Sequence, residues 1–300
     1  MSPELTALLL ATLPLDLLAA VTLGVWATAR MARRLERGAA MDPFQERRFL
    51  GLARPPWWAR AWGVAVEGSC QTAAFALQAA HHVRRFRPAP VRPEGGPPVV
   101  LVAGYLENAG QMWPLARRLA AQGFQPVLVD LPSTLRSIED NAAFLAERID
   151  EVCRASGRER IGFVGHSMGG VVARALVRQQ AEPRLASVVT LGSPHRGTRM
   201  ARFGVGQSAR DMRPGSALVD RNPPARPAGP PVHTLISTQD NIVSPPWSTV
   251  LAEGEDVVLS RPVGHVAPLF LPEVAERVVG WLAADLGVPA ATPRLSPESA

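Results

Sequence analysis

The residue around which chemistry could be built is Ser167. It lies in Arg160 to Gly170, RIGFVGHSMGG, where an apolar run of strand type ends in Gly165-His166-Ser167-Met168-Gly169 and a helical pattern begins at once. A serine on such a strand-to-helix elbow presents its hydroxyl from a strained turn, and Gly165 and Gly169 have no Cβ to collide with neighbouring backbone. The helix behind it offers unpaired N–H groups and a positive dipole end where negative charge would develop.

A serine hydroxyl becomes a nucleophile only beside a base, and the six histidines sort by position. In elbows of this type the acid and then the base follow the nucleophile along the chain. His81 and His82 come too early, His166 belongs to the elbow, and His195 and His233 precede any convincing acid. His265, in Val263-Gly264-His265-Val266-Ala267, follows a strand and precedes the last helix, so it is the candidate base. The candidate acid is Asp240, just past a strand end, where loops gather in open α/β sheets. Asp256 competes but starts a strand, at the wrong end of the sheet. Asp240 would hold Nδ1–H of His265, leaving Nε2 to take the Ser167 proton. Two backbone N–H groups should receive the oxyanion: that of Met168, directly after the serine, and that of Tyr105 in the loop Ala103-Gly104-Tyr105-Leu106.

These residues need a scaffold, and from Pro98 onward short apolar runs alternate with amphipathic stretches, the pattern of a parallel sheet covered by helices. Strands are expected at Val99 to Ala103, Pro126 to Asp130, Arg160 to Gly165, Ser187 to Leu191, Val232 to Ser237 and Asp256 to Leu259. Helices are expected near Met112 to Gln122, Ser137 to Ser156, Met168 to Gln180 and Pro272 to Leu286. Residues 198–231 form the longest stretch without regular pattern and read either as a lid or as an ordinary surface connection. The divisions are 1–30, a hydrophobic membrane anchor or signal peptide; 31–92, a helical Arg- and Trp-rich extension; 93–288, the catalytic domain; and 289–300, a flexible tail.

All of the formal charge of +6 lies in residues 1–92, where Arg outnumbers Asp and Glu two to one; the remainder is balanced. Leu5 to Ala29 is nearly uncharged and, at about 1.5 Å per residue, reaches roughly 37 Å against a hydrocarbon core of about 30 Å. Arg30, Arg33, Arg34 and Arg37 follow it, which orients an anchored catalytic domain toward the cytoplasm. The alternative is export, since Ala27-Thr28-Ala29 has the form of a cleavage site. Trp57, Trp58 and Trp62 near Arg54 and Arg60 suit either an interfacial helix or a helical subdomain packed on the rest. No RNA- or DNA-binding motif accompanies the charge, which excludes nucleic acid as the expected partner and favours a lipid surface. Cys70 and Cys153 lack metal or redox spacing; they read as two ordinary thiols or as a disulfide tying the extension to the domain.

VVLVAGYLEN, VGHSMGG, LGSPHRGT, STQDNIVSPPWST and GHVAPLF, in that order over about residues 97–286, resemble the bacterial triacylglycerol lipase and esterase branch of the α/β-hydrolase superfamily. Such a resemblance implies an α/β-hydrolase fold of about six mostly parallel strands and an acyl-enzyme on Ser167, His265 and Asp240. It also implies a lipidic acyl ester as substrate and no cofactor. The calcium site of the larger secreted lipases has no match, so no metal is expected, and the N-terminal region, outside the resemblance, is expected to attach the protein to the bacterial inner membrane. Ala103 precedes Gly104 where the family usually has His-Gly, so a contact that orients the oxyanion loop in the family is missing. Thioesterase, phospholipase or acyltransferase chemistry would use the same triad, and a membrane-anchored scaffold without turnover would keep the fold alone.

Overall fold

The computed structural model describes residues 15–41, 45–46, 49, 55–84, 90–179, 184–221, 229–251, 255–259 and 261–288. The expected tail at 289–300 and the first fourteen residues of the expected anchor segment lie outside them.

Six parallel strands make one sheet: β1 (Pro98–Val102), β2 (Gln125–Val129), β3 (Ile161–His166), β4 (Leu185–Leu191), β5 (Val232–Ser237) and β6 (Glu255–Leu259), in the order β2-β1-β3-β4-β5-β6. Four helices expected from the sequence cover it: α3 (Trp113–Ala121), α4 (Ile138–Ser156), α5 (Met168–Gln179) and α8 (Pro272–Leu286). Parallel strands buried on both faces read as continuous apolar runs because each face needs its own core. In β1, Val99 and Leu101 pack toward α3 and α8, while Val100 and Val102 pack toward α4 and α5. Helix α4 starts on Ser137, whose hydroxyl accepts from the Asp140 N–H, and stops at left-handed Gly157.

The chain builds β2 on one side of β1 and then returns past β1 to build β3 on the other. Strand order therefore reverses between β1 and β3, and in open α/β sheets the crevice beyond the strand ends at such a point receives ligands. The loop after β1 and the elbow after β3 both open into it.

Two N-terminal helices, α1 (Leu15–Glu36) and α2 (Trp57–Arg84), precede the sheet. Gly68 of α2 lies against Thr22 of α1, and Arg33 and Arg60 line one small cavity, so the helices run antiparallel as a hairpin. Cys70, Ala73 and Ala74 of α2 belong to the same core cluster as α3 and α8. Of the two sequence readings of α2, packing on the domain is what these contacts describe. Residues 15–29 of the expected anchor form the first part of α1, and no helix among the described residues is long and apolar enough to cross a membrane. Both cysteines are buried and free, so no disulfide ties the extension down. Residues 198–231, which lacked a pattern, contain a 3-10 turn at Arg199–Phe203 and two short helices, α6 (Gly206–Asp211) and α7 (Ala217–Arg221). Helices of under two turns are too short to show a periodicity.

Candidate active site

Ser167 occupies the turn between β3 and α5 with φ +53°, a left-handed conformation that costs a side-chain-bearing residue energy and that clusters at functional sites. The turn is pinned by the Ser167 N–H, which donates to Leu191 O at 2.9 Å. A Cβ on Gly165 would lie 2.5 Å from Gly170 N, and one on Gly169 would lie 2.5 Å from Val102 O. The elbow thus fits between β1 and α5 only with glycine at both places. Ser167 is 7% exposed.

Asp240 follows β5 and His265 follows β6, and the structure brings them together: His265 Nδ1 and Asp240 Oδ2 are 2.7 Å apart. Asp240 Oδ1 accepts from the N–H groups of Ile242 at 2.8 Å and Val243 at 2.7 Å, so the carboxylate is held at both oxygens. Gly192, one residue beyond the Leu191 carbonyl that Ser167 uses, lies against the pair; a Cβ there would be 3.2 Å from His265 Nδ1. On the side of the elbow, the rings of His265 and His166 are 4.6 Å apart, and His166 Nε2 and His265 O are 3.1 Å apart. Ser167, His265 and Asp240 therefore gather at one edge of the sheet. Among the described residues the Ser167 hydroxyl makes no hydrogen bond; catalytic hydrogen bonds are often long before substrate arrives. Burial works against a charged His265, but the charge and hydrogen bond of Asp240, with Glu107 and Glu67, outweigh it and push its pKa up to about 9. Asp256 lies near the N-terminal end of β6, away from the strand ends that carry Asp240 and His265, in register with Thr234.

In the loop after β1, the Gly104 N–H donates to Glu107 Oε2 at 2.8 Å and the Leu106 N–H to Thr134 Oγ1 at 3.2 Å. The intervening Tyr105 N–H makes no hydrogen bond among the described residues. Met168 opens α5, so its N–H has no partner within the helix. A Cβ on Gly104 would sit 2.8 Å from Ser167 Cβ, which puts this loop beside the serine. The Tyr105 phenol turns outward, donating to Val205 O at 2.7 Å and accepting from the Val205 N–H at 2.9 Å.

A family profile described as alpha/beta hydrolase fold matches residues 97–226. The chain has the α/β-hydrolase fold. In sequence it is similar to a triacylglycerol lipase of Pseudarthrobacter phenanthrenivorans, 40% identical over 55 residues, covering 18% of this chain and 17% of that protein. Phospholipase YtpA of Bacillus subtilis is 32% identical over 103 residues, covering 32% of this chain and 39% of that one. Both matches thus span well under half of the relative. Lipase B of Aspergillus fumigatus superposes with TM-score 0.58 at 18% identity, over 77% of this chain and 60% of that one.

Within this hydrolase fold, three of the other histidines are engaged elsewhere. His195, in the Ser193-Pro194-His195-Arg196-Gly197-Thr198 turn, pairs with Thr190 Oγ1 at 3.0 Å; burial, then Arg174 and Arg196, hold it well below the ordinary range and so neutral. His81 meets Asp130, and His233 meets Asp285 while stacking on Trp281. No group of three or more His, Cys, Asp or Glu among the described residues could hold a metal ion.

Two carboxylates escaped the sequence reading. Glu107 supplies the orienting contact to the loop that the missing His left open. Burial opposes its charge, but His166, His265 and a Gln111 hydrogen bond outweigh that and keep it ionised below its ordinary range. Glu67 of α2 is 1% exposed and bonds to the loop carrying His265. Its signal was a single charge inside the apolar run VAVEGSCQTAAFA, since a lone charge on a buried helix face needs a partner.

Proposed function

We propose that this protein is a serine hydrolase that cleaves carboxylic esters of lipidic acids through an acyl-enzyme. Ser167 attacks the carbonyl, His265 takes its proton and returns it to the leaving alcohol, and Asp240 fixes the imidazole and stabilises the imidazolium. The N–H groups of Met168 and Tyr105 receive the oxyanion. The observation that carries this reading is the buried Asp240–His265 pair, on loops beside the elbow of a positive-φ serine near the strand-order reversal. A lipidic acyl group suits the exposed apolar side chains near the Tyr105 loop, Leu106, Leu135, Phe203 and Val205, and the names of the relatives point the same way. Ser167→Ala should abolish p-nitrophenyl ester turnover and fluorophosphonate labelling with folding intact; retained turnover refutes the assignment.

A second reading, phospholipase, is favoured by the Bacillus relative's name. Product analysis over phospholipids and triacylglycerols of several chain lengths separates the two.

The same proposal puts the hairpin end at an anionic lipid surface. Trp57, Trp58 and Trp62 are exposed there, beside the basic end of α1. Arg34, Arg37, Arg199, Arg202 and Arg213 line a cavity of about 440 Å³, and clustered Arg with Trp suits anionic head groups. Sedimentation with phosphatidylglycerol vesicles should exceed that with phosphatidylcholine and fall with Trp57→Ser, Trp58→Ser and Trp62→Ser together. Equal sedimentation with both lipids removes the electrostatic argument.

A further inference from the structure

The N-terminal hairpin lies outside the stretch that matches the family profile, yet it reaches the residues on which the proposed chemistry depends. Glu67 Oε1 accepts from the Val266 N–H at 2.7 Å, and Oε2 accepts from the Ala267 N–H at 2.8 Å. The preceding N–H, that of His265 itself, donates to Asn241 Oδ1 at 3.0 Å. Three successive backbone donors in a buried, irregular loop are therefore satisfied by two side chains. Asn241 is held in turn by α1, its Nδ2 donating to Thr28 Oγ1 at 3.0 Å, and Thr28 donates to Val25 O. One turn further along α1, Ala32 O accepts from Ser244 Oγ at 3.0 Å.

Two glycines set the close approach. A Cβ on Gly63 of α2 would lie 1.7 Å from Pro262 O, and one on Gly264 would lie 2.4 Å from Glu67 Cδ. A cavity of about 20 Å³ lies between the hairpin and the loops of Asp240 and His265.

A buried carboxylate is costly, and Glu67 forms no ion pair among the described residues; its compensation is the pair of backbone N–H groups. Packing alone would be served by an apolar side chain, and satisfying two N–H groups needs two acceptor oxygens. A carboxylate supplies both, whereas an amide supplies one.

We propose that Glu67 is a positioning residue for His265, so that the hairpin is part of the catalytic apparatus: α2 holds the base through Glu67, and α1 holds the acid loop and the His265 N–H through Thr28 and Asn241. This rests on the triad reading above. Its second consequence is electrostatic. The charged groups facing His265 are Asp240, Glu107 and Glu67, with His166 against its ring; burial pushes the Glu67 pKa up against the two N–H bonds that lower it, and its carboxylate, once ionised, favours the imidazolium that forms as the serine loses its proton.

The test is Glu67→Gln in the full chain, which keeps size and removes one acceptor and the charge. Expected is a kcat lower by roughly 10- to 100-fold, the scale of small misplacements of a reacting group, with KM within threefold and the acidic limb of the pH profile at lower pH. Activity is counted per fluorophosphonate-titrated site, so loss of folded protein does not imitate the effect. Amide exchange at Val266 and Ala267 should quicken, while β3 and α5 keep their protection. Unchanged kcat and limb, or unchanged exchange at those two amides, overturns the proposal. Should Glu67→Gln fail to fold, Thr28→Val removes the anchor of Asn241 and must lower kcat in the same manner. If wild-type protein neither turns over esters nor labels, the hydrolase reading has failed, and exchange at Val266 and Ala267 still decides whether Glu67 grips the loop.

Discussion

Replacing Asp240 by Asn is a sharp test of the catalytic geometry because the structure dictates which way the new amide must sit. Asp240 Oδ1 lies between the N–H groups of Ile242 and Val243 at 2.8 and 2.7 Å. An amide NH2 placed there would leave two buried donors unpaired, at about 1–3 kcal/mol each. The amide oxygen therefore takes that place and the NH2 faces His265 Nδ1. A donor facing Nδ1 forces the imidazole proton onto Nε2, the atom that must accept the proton of Ser167. Where a triad is put into this wrong tautomer, kcat falls by roughly 10⁴, or about 5 kcal/mol of barrier at 1.36 kcal/mol per decade. Steady-state hydrolysis of p-nitrophenyl butyrate at pH 8, normalised to folded protein, measures it. Asp256→Asn, away from the strand ends that carry Asp240 and His265, should leave the rate within twofold. Asn at 240 retaining more than a tenth of the wild-type kcat would refute the argument, and a large loss from Asp256→Asn would reassign the acid.

Three further outcomes follow from the same contacts. The base must be neutral to act, and with His265 at about 9 kcat/KM should rise about 50-fold between pH 7 and 9; a plateau already reached at pH 7 contradicts this. The same raised value means that folding favours the protonated, Asp240-paired imidazole, a contribution complete below the unfolded value of about 6.5 and lost as pH rises through about 9. Thermal midpoints should accordingly drop from pH 6.5 to 9.5, with a shallower slope in His265→Gln. Gly169→Ala pushes a methyl against Val102 O and Ala103 O at 2.5 and 2.8 Å, so the end of β1 must shift. Urea unfolding should show a loss of about 1–3 kcal/mol together with a reduced kcat, and a variant as stable as wild type would show that the elbow has room.

What could be read from the chain divides by how local its cause is. β5 and α8 occupy Val232–Ser237 and Pro272–Leu286, the ranges expected, because apolar run length and helical periodicity are properties of neighbouring residues. The places of Ser167, Asp240 and His265 were legible as types at strand ends. Their contacts depend on strand order, which only the fold supplies. Glu107 looked like any surface charge, since its partner His166 lies 59 positions away. Glu67 is harder still: its partners are about 200 positions distant, and the helix that carries it resembled an interfacial segment as much as a packed one. The short helices between Arg199 and Arg221 gave no pattern because six or five residues do not complete two turns.

Tyr105 is the chain's sole tyrosine. Because its ring oxygen is bonded to both backbone groups of Val205, the loop after β1 and the segment between β4 and β5 are joined through one side chain. Any separation of these two segments must break that pair of hydrogen bonds. Beside seven Trp and nine Phe, this one tyrosine ring, selectively 13C-labelled for magnetic resonance, would report such a separation through a single assigned signal.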